Sequence, residues 1–123
     1  MAENKILIVE DEAHISGIIH DLLRLMNYEA LVASQGSEAL AFLEEHPINF
    51  LMVDISLPDM TGVQLYQKIV SRYPDLSNRF LFMSGADPDE ELTRLLRETP
   101  NKFVYKPFQL MELKAEIEEM LAS

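Results

Sequence analysis

The chain has 123 residues, 48% hydrophobic and 25% charged, with 21 Asp and Glu against 10 Lys and Arg. That length suits one domain hiding roughly two thirds of its unfolded surface, and the absence of cysteine excludes disulfide scaffolds, thiolate zinc sites and cysteine nucleophiles. A net charge of −11 repels phosphate backbones and anionic lipid, so no direct nucleic-acid or membrane partner is expected.

In chain order, five short apolar runs alternate with five amphipathic stretches. Met1 to Lys5 leads straight into the first run, Ile6 to Val9, without a signal-peptide pattern, so a cytoplasmic location is expected. A helical pattern over 13–26 follows, in which Ile15, Ile18, Ile19, Leu22, Leu23 and Met26 make one apolar face. Ala30 to Ala33 is the weakest run and suits an edge strand; the helix expected over 37–45 has Ser37 as its cap. Phe50 to Val53 comes third, before a helix over 62–72 that Thr61 and Gln64 open as a capping box. Phe80 to Met83 comes fourth. The segment Asp87-Pro88-Asp89-Glu90 then predicts a second capping box, with Pro88 as the first residue of a helix over 88–98. Phe103 to Tyr105 and a helix over 109–121 complete the series.

The runs are continuous rather than alternating, as for strands covered on both faces, and all are too short to cross a bilayer. Strict alternation implies a parallel sheet between two helical layers, with right-handed crossovers. Five strands fit the order 2-1-3-4-5 better than a six-stranded dinucleotide fold. The expected architecture is an α/β, flavodoxin-like doubly wound (βα)5 domain spanning 1–123, with helices on both faces.

In such sheets the ligand crevice lies beyond the carboxyl ends of the strands, where the order reverses. The first strand ends in Glu10-Asp11-Glu12, the third in Asp54, the fourth in Ser84 and the fifth in Lys106. A lone acid at a strand end commonly solvates a loop or caps a helix. Three converging acids, Glu10, Asp11 and Asp54, repel one another unless something neutralises them. A hard divalent cation on oxygen ligands does so, and Mg²⁺ characteristically uses one or two carboxylates and keeps waters. An acidic cup faced by a lysine and a hydroxyl suits phosphoryl transfer, which needs positioning and charge neutralisation. A carboxylate can itself accept the group as an acyl phosphate. Asp54, following four apolar residues, is the best-positioned acceptor, with Asp11 and Glu10 as metal ligands.

At these residues the sequence resembles the receiver domains of two-component response regulators, over Lys5 to Leu121. The motifs are Val9-Glu10-Asp11-Glu12, the stretch from Asp54-Ile55-Ser56-Leu57-Pro58 through Asp59-Met60-Thr61-Gly62, Ser84, and Lys106-Pro107-Phe108. The resemblance implies that Asp54 is the phosphoacceptor for a phosphohistidine of a sensor histidine kinase or histidine phosphotransfer protein. It implies Mg²⁺, with Mn²⁺ as a substitute, on Asp11, Asp54 and the Ser56 backbone carbonyl, and Glu10 acting through water. Lys106 and Ser84 would stabilise the phosphoryl group, and Pro107 would follow a cis peptide bond. Ser84 and Phe103 occupy the switch positions through which phosphorylation would remodel the fourth helix, fifth strand and fifth helix for an effector or output domain. Ser56 and Ala86 occupy positions that tune dephosphorylation; both are small, which leaves a path for in-line water. The domain would assist its own phosphorylation and dephosphorylation rather than act as a conventional multi-turnover enzyme.

The regulator dimers of winged-helix transcription factors pair acids ahead of the fifth strand with bases on the last helix. Here Asn101-Lys102 precede the strand, and the last helix carries Glu112, Glu116, Glu118 and Glu119 against Lys114. A monomer or weak phosphorylation-dependent dimer is expected, as a stand-alone regulator or a receiver from a larger protein. Three rivals remain. A haloacid-dehalogenase-type phosphatase would need an acid where Ser56 stands, and a flavin module a hydroxyl-rich first loop where Asp11-Glu12-Ala13 stands. A pseudo-receiver binding partners without phosphorylation would be expected to lack part of the set Asp11, Asp54, Ser84 and Lys106. His14, His20 and His46 are expected on the surface, and the seven methionines in the core. Tyr105 and Met111 suit either output contacts or half-buried packing.

Overall fold

The computed structural model describes residues 4–122. The strands are β1 Lys5–Val9, β2 Glu29–Ala33, β3 Phe50–Asp54, β4 Phe80–Ser84 and β5 Lys102–Tyr105. They alternate with helices α1 Ala13–Leu25, α2 Gly36–Glu45, α3 Gly62–Arg72, α4 Glu90–Glu98 and α5 Leu110–Ala122, and a 3-10 turn at Pro74–Leu76 precedes β4. The sheet is parallel throughout, in the order β2-β1-β3-β4-β5, which is the flavodoxin-like arrangement. Among the described residues no helix is long and apolar enough to cross a membrane.

Because successive strand side chains point to opposite faces, each apolar run divides between two cores. On one face Leu7, Val9, Leu51, Val53, Phe80 and Phe82 pack against Ala39 and Leu43 of α2, Leu65 and Ile69 of α3, and Leu92 of α4. On the other, Ile6, Ile8, Phe50, Met52, Leu81 and Met83 meet Ile19 and Leu23 of α1 and Leu113, Ile117 and Met120 of α5. Every residue of β3 and β4 is buried, whereas β2 and β5 lie at the edges and are half-covered. The weak second run is therefore an edge strand, as its composition indicates.

Three local readings are settled by hydrogen bonds. The box at α3 forms: the Gln64 amide donates to Thr61 Oγ1 and the Thr61 amide to Gln64 Oε1, both at 3.0 Å. Ser37 does not cap α2. The helix starts one residue earlier, its N-cap residue Gln35 makes no side-chain cap, and the Gly36 and Ser37 amides are taken by Asp59 from another loop. Nor does α4 begin at Pro88. Asp89 is its cap, accepting from the Leu92 amide at 2.9 Å, while the Asp87 carboxylate is occupied by the Tyr105 hydroxyl at 2.8 Å.

Phe82 is fully buried and packs against both the Phe80 and Tyr66 rings, whose centroids lie 5.6 and 5.9 Å away. Truncation there empties a site that the rigid sheet cannot collapse onto. Urea denaturation of Phe82→Ala is expected to show a loss of about 3–5 kcal/mol, against about 1 kcal/mol for Thr61→Ala at the α3 cap; equal small losses would contradict this packing.

Candidate functional site

Strands β1 and β3 are paired neighbours with Val9 opposite Val53, so the next residues, Glu10 and Asp54, emerge side by side. The Glu10 amide continues the ladder to the Ala33 carbonyl at 2.9 Å, and the Ile55 amide does the same to Met83 at 2.9 Å. The backbone is thus held on both sides where the acids leave the sheet. One carboxylate oxygen each from Glu10, Asp11 and Asp54 lies within 4.8 Å of the others. Glu10 and Asp54 are only 2% and 6% exposed, whereas Asp11 faces solvent. The convergence expected from strand order is present.

Lys106 is brought in by β5, where its amide bonds the Ser84 carbonyl at 2.8 Å and a cis peptide follows before Pro107. Its ammonium lies between the two buried acids, 2.5 Å from Glu10 Oε1 and 3.0 Å from Asp54 Oδ2. Backbone amides occupy the remaining oxygens: Glu12 donates to Glu10 Oε2 at 3.1 Å and Ser56 to Asp54 Oδ1 at 3.0 Å. Among the described residues no buried side-chain polar atom is left without a partner.

Three carboxylates against one ammonium leave two negative charges within one small volume. The donor set is all oxygen, and one member, Asp11, is open to water. That is the chemistry of a hard divalent cation site, and the residues fit one.

Burial pushes the Glu10 carboxyl above its usual value, and its bonds to Lys106 and to the Glu12 amide oppose this without cancelling it. Burial alone would lower Lys106, but its bonds to Glu10 and Asp54 outweigh that and raise it.

Ser84 is buried beside this cluster, and its Oγ accepts from the Ala86 amide at 3.0 Å. Phe103 packs half-buried against the core flanked by α4, with the Tyr105 ring edge-on at 4.9 Å. Ser56 and Ala86 are both exposed. The histidines stand apart from the acidic cluster, although His20 and His46 are half-covered rather than free. Tyr105 and Met111 are 52% and 73% exposed, so half-buried packing does not describe Met111, nor does a core role. Two contacts were not anticipated from sequence: Asp59 on the start of α2, and the Tyr105–Asp87 bond.

The family profile described as "Response regulator receiver domain" matches residues 6–118. The chain belongs to that family. The receiver protein CpdR of Brucella abortus (strain 2308) is 30% identical over 122 residues, 95% of this chain and 96% of CpdR. The sensor histidine kinase TmoS of Ectopseudomonas mendocina is 30% identical over 119 residues, but they make up 96% of this chain and 12% of that kinase. A crystal structure of a CheY-like receiver domain from Methanospirillum hungatei JF-1 superposes with a TM-score of 0.87 at 28% identity, covering 98% of this chain and 95% of that one. Receiver domains of this kind thus occur both nearly alone and as small parts of long kinases.

The raised Glu10 value has a definite pH consequence. The folded chain holds this proton more tightly than the unfolded chain, so the proton's contribution is full below the ordinary Glu value and is lost as pH rises through the folded one. Carbon-detected NMR titration is expected to place the Glu10 carboxyl above ordinary glutamates, and higher still in Lys106→Met. A Glu10 value that falls in that variant would contradict the ion-pair geometry.

Proposed function

We propose that Asp54 is the phosphoacceptor of this receiver domain. It would take the phosphoryl group from the phosphohistidine of a sensor histidine kinase or histidine phosphotransfer protein, in a Mg²⁺-dependent reaction. The supporting observation is the state of its carboxylate: nearly buried, grouped with Glu10 and Asp11, and fixed through both oxygens by Lys106 and the Ser56 amide. Asp11, Asp54 and the Ser56 carbonyl would hold the ion, with Glu10 acting through water. Bound there, magnesium supplies positive charge for the phosphoryl oxygens.

The chain's own residues carry the rest. An Asp54 oxygen attacks phosphorus in line as the phosphorus–nitrogen bond breaks, and the imidazole leaves with the electron pair. Lys106, already bonded to Asp54, offers its ammonium to the transferred oxygens. Its raised pKa keeps it charged throughout the neutral range. The Ser84 hydroxyl, exchanging its bond to the Ala86 amide for a phosphoryl oxygen, would draw in the loop that begins α4. Phe103, packed beneath that loop's helix, would turn with it and alter the α4–β5–α5 face seen by an effector or output domain. This is a local change of charge biasing a two-state element. Exposed small residues at Ser56 and Ala86 leave water access for return to the resting state, so each cycle ends in self-dephosphorylation and not in turnover of a free substrate.

Lys102 is committed within the chain, at 2.9 Å from Glu116 and 2.8 Å from Glu119, and Lys114 pairs with Glu118 at 3.1 Å. These pairs satisfy charges that a cross-dimer network would otherwise use, which favours a monomer or a weak phosphorylation-dependent dimer. A cytoplasmic setting, where kinase and phosphodonor reside, completes the reading.

Incubation with acetyl phosphate and magnesium is expected to add one phosphoryl group by intact mass and to shift the amide signals of 84–108. Asp54→Asn and excess EDTA should each abolish both effects. Labelling that persists in Asp54→Asn would overturn the assignment.

A further inference from the structure

The loop that carries Ser56 is fastened to a helix distant in sequence. Asp59, exposed at the tip of the β3–α3 loop, accepts from the Gly36 amide through Oδ1 at 2.8 Å and from the Ser37 amide through Oδ2 at 2.9 Å. One carboxylate thereby serves two of the unpaired donors at the start of α2, at the positive end of its dipole. These amides hold the Asp59 carboxyl below its ordinary value. The next residue, Met60, lies directly against Gly36. A Cβ at that glycine would stand 2.5–2.7 Å from three Met60 side-chain atoms, so the absence of one lets the loop tip close onto the helix.

The base of the same loop is closed separately. Ser56 and Thr61 form an antiparallel bridge, and the Gly62 amide donates to the Ile55 carbonyl at 2.7 Å. A Cβ on Gly62 would lie 2.8 Å from the Asp54 carbonyl oxygen, which shows how tightly this base sits under the acceptor. Residues 56–61 are thus pinned at base and tip, on the strand that delivers Asp54 and on α2.

We propose that Asp59 is a positioning residue for the metal site. By tying the loop tip to α2 it fixes the Ser56 backbone, whose amide orients the Asp54 carboxylate and whose carbonyl is the third ligand in the reading above, on which this inference rests. Asp59 itself touches no reacting atom. Its two bonds span 23 and 22 residues of chain, so they constrain the loop relative to the body of the domain, which a local turn could not do.

A role confined to helix capping would act on stability alone. Glu38 provides the comparison, because it accepts from the Ser34 amide and hydroxyl at 2.6 and 3.0 Å at the same end of α2 without touching the loop. Magnesium is titrated into the full wild-type chain and into Asp59→Ala, Asp59→Asn and Glu38→Ala, followed by the Ser56 amide signal, with a thermal unfolding curve for each. Asp59→Ala is expected to raise the magnesium dissociation constant about tenfold. Asp59→Asn, which keeps one acceptor oxygen, should raise it less, and Glu38→Ala should lower the melting temperature with metal affinity unchanged. Wild-type affinity in both Asp59 variants, or an equal loss in Glu38→Ala, would overturn the proposal. Should Asp59→Ala fail to fold, Asp59→Asn decides against the same control. A wild-type chain that takes up no magnesium would instead refute the metal reading itself, and this proposal with it.

Discussion

The structure depends on an unbalanced charge. Two buried carboxylates, Glu10 and Asp54, share one ammonium from Lys106, with a third carboxylate, Asp11, at the solvent side. Burying two acids side by side is costly in a low-dielectric setting, and removing the partner of a buried charge costs more than the pair gains. Lys106 keeps the resting arrangement tolerable without neutralising it. The residual charge of about two units, on an all-oxygen donor set, is what a hard divalent cation would neutralise.

The fold is the device that brings these groups together. Reversal of strand order sets β1 beside β3, which places Glu10 and Asp54 as neighbours although 44 residues separate them. The β4–β5 register sets Ser84 opposite Tyr105, so Lys106 follows directly beside the Ser84 carbonyl. Continuous apolar strands covered on both faces make the sheet stiff, and the rim beyond the strand ends carries the polar groups of the site. In the proposed switch, chemistry at the rim would reach α4 and β5 through Ser84 and Phe103, while Asp59 ties the β3–α3 loop to α2.

Much of this was legible because burial leaves a strong signature. Four-residue apolar runs mark strands covered on both sides, and the weaker run Ala30 to Ala33 belongs to an edge strand. Acids at the ends of two strands that the topology makes adjacent identify the cup before any contact is seen. Helix starts were harder. The segment Asp87-Pro88-Asp89-Glu90 points to a cap at Asp87, whereas Asp89 takes that role and the Asp87 carboxylate accepts from the Tyr105 hydroxyl. The tie from Asp59 to α2 left little mark in the receiving sequence beyond Gly36, since its donors are backbone amides that every residue but proline carries. Lys106 reaching both acids at once likewise follows from side-chain geometry and not from spacing.

The central claim is that the carboxylates of Asp11 and Asp54 form a divalent cation site that Lys106 leaves unbalanced. Anomalous diffraction from crystals soaked in manganese tests it most directly. The account predicts one anomalous peak per chain, within bonding distance of both carboxylates and the Ser56 carbonyl, and its loss in Asp11→Asn. A peak elsewhere, or one that survives in that variant, would contradict it.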